Sequence, residues 1–125
     1  NTGPYLLYAL VRIKQIFAKA KEHGVAAPTS STTFVVTEPA EKQLALALLR
    51  YPSALQGVAD ALEPHRLCGY LYELAGAFSA FYDQCPVLKA PDDATRNARL
   101  RLCDLTARAL SDGLHTLGMP TVERM

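Results

Sequence analysis

LCGYLYELAGAFSAFYDQCP, residues 67–86, is the stretch that decides the fold. Leu67, Leu71, Leu74, Phe78, Phe81 and Cys85 recur at three- and four-residue steps, the period of a helix with one buried face. Pro86 closes the run, because proline cannot keep an internal helical hydrogen bond. The spacing predicts a long central helix. Tyr72, Ala75, Ser79 and Tyr82 share a second face of it, which suits either core or solvent.

Upstream, Pro64 separates this helix from a short third one that Pro52 and Ser53 begin, with Leu55, Val58, Ala59 and Leu62 repeating at helical spacing. Before it, Thr37 is predicted to cap a second helix, with Glu38 and Glu41 near its positive end and Leu44, Ala47 and Leu48 facing inward. That helix ends near Tyr51. Residues 25–37, with Pro28 and Ser/Thr around Phe34, Val35 and Val36, lack any period and read as a loop. The first helix runs from about Pro4 to Glu22 on Leu6, Leu10, Ile13, Phe17 and Ala20, and Gly24 suits the left-handed position after a helix end. Downstream, Pro91, Asp92 and Asp93 start a fifth helix carrying Leu100, Cys103, Ala107, Leu110, Leu114 and Leu117, which stops at Gly118 and Pro120. No segment alternates with period two. The expectation is an all-α, single-domain helical bundle of about five helices with a longer loop after the first, residues 1–125 forming one domain.

Composition sets outer bounds. A chain of 125 residues, half hydrophobic and a fifth charged, hides about two thirds of its unfolded surface and supports one core. Lys and Arg number 13 against 12 acidic residues, so no overall basic field announces a polyanion, DNA included, and any such signal is local. The longest apolar run, Tyr5 to Val11, is too short to span a membrane, and nothing near the start resembles a secretion signal. Cys68, Cys85 and Cys103 are odd in number and lack the close pairs of a zinc site, which fits core thiols in a reducing cytoplasm.

Enzyme templates fail. The chain holds no Gly-rich phosphate loop, no pair of His flanking a Glu on one helix face and no strained elbow around a Ser, so no catalytic residue is assigned. His23, His65 and His115 sit near helix ends without partners at metal spacing, so no metal is expected. Asp92 with Asp93, and Glu38 with Glu41, start helices, where acidic residues favour the dipole.

One face of the first helix differs. Tyr5, Tyr8, Arg12, Gln15 and Lys19 fall at i, i+3, i+7, i+10 and i+14, beside the apolar stripe. Such a face is either ordinary solvated helix surface or the mixture that a single-stranded RNA loop requires, in which rings stack on unpaired bases and cations meet phosphates. A second basic cluster, Lys89, Arg96, Arg99, Arg101 and Arg108, is interspersed with Asp92, Asp93 and Asp104; Arg96 and Arg99 share a face that suits solvent or a phosphate backbone.

The words of the sequence add to this. Thr2-Gly3-Pro4-Tyr5-Leu6, Tyr8-Ala9 and Arg12 at the start, Glu38-Pro39-Ala40-Glu41-Lys42, Tyr51-Pro52, Tyr70-Leu71-Tyr72-Glu73-Leu74 and Phe81-Tyr82-Asp83-Gln84-Cys85-Pro86-Val87-Leu88 between, and Leu117-Gly118-Met119-Pro120 with Val122-Glu123-Arg124-Met125 at the end occur in an order that resembles the C-terminal anticodon-binding (DALR-type) domain of arginyl-tRNA synthetases. The resemblance implies a helical module that grips the anticodon loop of an arginine-accepting tRNA, as the C-terminal fragment of a longer synthetase. A separate catalytic domain would activate arginine with ATP; that domain is absent from this chain, which is expected to be inactive alone and to need no cofactor. It also implies that Tyr5, Arg12, Tyr82 and Met125 form the pocket for splayed bases: the two rings stack, Arg12 meets a base or a phosphate, and the terminal carboxylate at Met125 accepts from a base edge. Tyr8 and Lys19 are added from helix geometry as stacking and phosphate contacts. Asn1, Leu7 and Leu10 depart from the family pattern, which commonly has Asp, Gln and His there. Alternatives from other classes are a helical protein-protein interaction module using the Tyr face, and the anticodon domain of a glycyl-tRNA synthetase beta subunit, whose match at the Met125 end is poorer.

Overall fold

A computed structural model describes residues 2–61 and 63–119. These form α1 (Thr2–Glu22), α2 (Pro39–Leu49), α3 (Tyr51–Ala61), α4 (Pro64–Gln84) and α5 (Asp93–Thr116), with no strand among them. The expected all-α bundle and the long loop after α1 are present. Arg50 alone separates α2 from α3, its N–H reaching back to the Ala47 carbonyl at 3.1 Å, so the pair is nearly one bent helix.

α4 is the hub: it packs against each of the other four helices. Leu67, Leu71, Leu74, Phe78, Phe81 and Cys85, the residues whose spacing predicts it, are all sealed from solvent. Leu6, Leu10 and Ile13 of α1, Leu44 of α2, and Leu100, Leu102, Leu110 and Leu114 of α5 complete the core. Sealing one such Leu or Phe contributes about 1.5–3 kcal/mol. Tyr70 is buried among them and donates its hydroxyl to the Ala47 carbonyl at 2.5 Å, and burial pushes its pKa up to about 12. Leu62 and Pro120 lie outside the described residues.

The helix ends follow local chemistry. Gly24 and Gly118 take φ of 72° and 75°, and each lets the next residue's N–H return to the helix, Val25 to Ala20 at 2.9 Å and Met119 to Leu114 at 2.8 Å. Asp92 caps α5 by accepting from the Thr95 N–H at 2.7 Å. The start of α2 is one residue later than predicted: Glu38, not Thr37, is its N-cap. The cause is Glu41, whose Oε1 accepts from the Glu38 N–H at 2.6 Å and from both the N–H and the hydroxyl of Thr37, at 3.0 and 2.9 Å. Its second oxygen takes the Arg99 Nε at 3.0 Å, and both side chains are buried. Burial alone would raise the Glu41 carboxyl, but the hydrogen bonds from Arg99, Glu38 and Thr37 outweigh it and hold the group below its usual 4.5.

α4 and α5 meet closely at Gly113, where a Cβ would stand 2.7 Å from both methyls of Leu71. Gly113→Ala is therefore expected to lower unfolding free energy by about 1–3 kcal/mol. Gly57→Ala, in α3 with open space around it, is expected to raise it by about 0.5–1 kcal/mol. Urea unfolding of both variants checks the contrast, and equal effects would contradict the α4–α5 packing. A second outcome follows from Glu41. A lowered folded-state pKa gives stability that is complete above the unfolded value and is lost as pH falls through the folded one. Acid titration of stability should therefore be flatter below pH 4.5 in Glu41→Gln than in the parent chain.

Candidate RNA-binding site

α1 and α4 lie side by side, and the polar strip between their apolar faces carries the rings and cations of the chain's most unusual surface. The α4 face of Tyr72, Ala75, Ser79 and Tyr82 turns out to be the one beside α1. Near the start of α1, Tyr5 stacks on Tyr72 with ring centroids 4.7 Å apart at 30°. Gly76 lies beside this pair, and a Cβ there would meet the Tyr5 hydroxyl at an ordinary contact distance of 3.8 Å. Two turns further, the Arg12 guanidinium lies over the Tyr82 ring at 4.3 Å. Tyr82 in turn leans on core Phe78, centroids 6.2 Å apart, which anchors a ring that is itself 39% exposed.

Two concavities follow the seam. A hollow of about 200 Å³ is lined by Tyr5, Tyr8, Arg12, Ala75, Phe78 and Ser79. A groove of about 490 Å³ continues along Arg12, Gln15 and Lys19 of α1, Tyr82 of α4 and the segment from Cys85 to Lys89. Arg12 borders both. Tyr8 stands 75% exposed at the rim, a flat apolar surface open to a stacking partner.

Of the residues predicted from sequence, Tyr5, Tyr8, Arg12, Lys19 and Tyr82 come together on this seam. Met125 lies outside the described residues. The basic cluster does not assemble. Arg96 pairs with Asp93 at 3.2 Å, Arg101 and Arg108 both pair with Asp104, at 2.6 and 3.1 Å, and Arg99 is internal; only Lys89 of that set lines the groove. The sequence places Tyr72 on this face without marking it as a site residue, and it shows Lys89 as part of the basic cluster but not its place opposite α1. The i, i+10 spacing of Tyr72 and Tyr82, matched against Tyr5 and Arg12 on α1, was the available signal for Tyr72.

Other features have different chemistry. A cavity of about 740 Å³ between the 25–37 loop, α2, α3 and α5 is lined by Phe34, Val36, Leu48, Leu49 and Leu105 and offers Arg108 and Asp112 as its charged groups. It lacks the alternation of rings and cations that a nucleic-acid strand needs. The buried thiols are poor nucleophiles: burial, with Asp104 nearby, pushes Cys103 up to about 12, and burial also raises Cys85. Among the described residues no group of three His, Cys, Asp or Glu side chains is placed to hold a metal ion, and no helix is long and apolar enough to cross a membrane.

The family model of the DALR anticodon binding domain matches residues 6–125. The chain belongs to that family. It is 50% identical over 125 residues to an arginine–tRNA ligase of Thermobifida fusca and 47% identical over 127 residues to one of Proteus mirabilis; each match takes in 100% of this chain and 21% of the relative. Among solved structures it superposes on an arginyl-tRNA synthetase of Thermus thermophilus with a TM-score of 0.81 and 38% identity, over 98% of this chain and 21% of that one. The chain thus spans about a fifth of the length of these relatives, the region of the anticodon domain.

If the Arg12–Tyr82 stack is as firm as its geometry indicates, a double-mutant cycle of Arg12→Ala and Tyr82→Ala will show a coupling of about 0.5–1 kcal/mol in unfolding free energy. Tyr8→Ala is expected to shift stability by less than about 0.5 kcal/mol, because that ring is on the surface. Additive effects in the cycle would mean that Arg12 is not held on the ring.

Proposed function

We propose that this chain is the anticodon-reading module of an arginyl-tRNA synthetase and that the α1–α4 seam holds the anticodon loop of an arginine-accepting tRNA. The observation that carries the reading is the pair of stacks along the seam, Tyr5 on Tyr72 and, two turns on, Arg12 on Tyr82, with a hollow between that Tyr8 borders. Splayed bases stack on such surfaces, and the in-plane edge of the Arg12 guanidinium keeps its donors for a base or a phosphate. Lys19 supplies a phosphate contact further along the groove. Met125 joins the set on the family resemblance alone.

The chemistry of acyl transfer belongs elsewhere in this reading. A catalytic domain in the parent synthetase would join arginine to its tRNA with ATP, in the cytoplasm where translation runs, while this module contributes recognition. The nearly balanced charge of the chain fits a site that reads a loop by stacking with a small number of phosphate contacts.

The test is a titration of the folded chain with a labelled stem-loop carrying an arginine anticodon and with the same stem carrying a scrambled loop, at two salt concentrations. Tighter binding of the arginine loop is expected, with each phosphate contact adding about 0.7 to the slope of log K on log salt. Lys19→Ala should reduce that slope by about 0.7 for every loop sequence, whereas Arg12→Ala and Tyr82→Ala should erase the preference between loops. Equal binding of both loops by a folded chain would overturn the reading.

A further inference from the structure

The groove has one wall that is a helix and one that is not. α1 presents Arg12, Gln15 and Lys19 from a rigid backbone, but the facing side is the connection from Cys85 to Lys89, between the end of α4 and the start of α5. Cys85 and Val87 are buried in the core and Leu88 packs against it, while the backbone has few hydrogen bonds of its own. The Ala90 N–H reaches the Val87 carbonyl at 3.3 Å, and the Asp92 cap fixes the far end. What ties the near end is internal. Arg99 Nη1 donates to the Pro86 carbonyl at 2.8 Å, while its Nε donates to Glu41 at 3.0 Å. The guanidinium is therefore a two-way bracket, with one edge on the loop and the other on the start of α2.

Resting on the anticodon reading above, we infer that Arg99 is a positioning residue for RNA binding: clamped by Glu41, it sets the place of the Pro86–Lys89 wall, and with it the Lys89 ammonium as a phosphate contact opposite Lys19. A buried ion pair is a poor way to gain stability, since apolar side chains of similar volume commonly do as well or better. What those cannot do is hold a main-chain carbonyl. Cys85 and Val87 anchor the segment by burial, and because Pro86 has no N–H of its own, the polar tie of the peptide between them is the bond from Arg99 to its carbonyl. Lysine at 99 would keep the positive charge but not the two divergent donors of the planar fork. A change here therefore alters the groove wall while leaving every groove-lining side chain in the sequence.

The test compares the 125-residue chain with Arg99→Lys, Lys89→Ala, Lys19→Ala and the pairs of Arg99→Lys with each lysine variant, using the arginine-anticodon stem-loop as the probe. Arg99→Lys is expected to weaken binding by about tenfold, and Lys89→Ala by about threefold in the parent but less than about 1.5-fold in the Arg99→Lys background, because the lysine is then already misplaced. Lys19→Ala, on α1, should keep its full effect in both backgrounds. A merely structural Arg99 would leave the Arg99 and Lys89 effects multiplicative, and that result overturns the inference. A second readout needs no RNA: amide hydrogen exchange from Val87 to Ala90 should quicken by about tenfold in Arg99→Lys with α1 unchanged, and unchanged exchange overturns the inference as well. If the parent chain fails to distinguish the arginine loop from the scrambled one, the anticodon reading falls, while the exchange measurement still decides whether Arg99 holds the wall. Should Arg99→Lys not fold, Glu41→Gln removes the charge that clamps the bracket and is read by the same measurements.

Discussion

The buried stripe of α4, which meets all four other helices, is the constraint from which the rest of the structure follows. An ordinary bundle helix hides one stripe and shows the opposite face to water. α4 divides its stripe among α1, α2, α3 and α5, and seals Leu67, Leu71, Leu74, Phe78 and Phe81. Beside that stripe, toward α1, stand Tyr72 and Tyr82, both still in contact with solvent. The site therefore occupies the line where the apolar stripes of two neighbouring helices run out. Its rings stay half in and half out of the core, a position that suits tyrosine because the ring packs while the hydroxyl stays wet.

The connection after α4 shows a different kind of determination. Here the backbone follows a buried charge rather than a hydrophobic period. Glu41 gathers the start of α2 around one carboxylate oxygen and offers the other to Arg99, which spends its remaining edge on the Pro86 carbonyl. Three separate parts of the chain are thereby fixed relative to one another with few side-chain atoms. Satisfying every polar group in such a network is what makes it tolerable in a core.

These two kinds of determination explain what could be read from the residues alone. The helices, their order and the core face of α4 are written as local periodicity, and the glycine and aspartate at helix ends signal their own conformations. The ring-and-cation face of α1 was legible for the same reason: Tyr5, Tyr8, Arg12 and Lys19 obey one helical spacing. Pairings across the fold leave no such trace. Glu41 and Arg99 are 58 residues apart, and each on its own looked like an ordinary helix-surface charge, one near a helix start and the other on a basic face. The misplaced cap at Thr37 has the same origin, because a carboxylate three residues into α2 was already held from afar and could claim the turn. Tyr72 was visible on its face, but that this face meets α1 is a fact of packing. Lys89 stood in the sequence only as one of a basic cluster, and that it parts from the others to face α1 is again a fact of packing.

Arg12 illustrates how the two levels combine into function. A long exposed side chain loses rotamer freedom when it grips a ligand, a cost of about 0.5–1.5 kcal/mol for each one ordered. Resting on Tyr82, which itself rests on core Phe78, Arg12 is ordered before anything binds. The core helix thus reaches the solvent face through two rings and a guanidinium, each stacked on the one beneath. An unpaired base added to the outer side of that guanidinium extends an existing stack and does not have to build one. Affinity for a flexible loop then depends less on the number of charges the surface carries than on how firmly α4 is buried. On the proposed reading, a chain of nearly balanced charge recognises a polyanion through the local character of this seam.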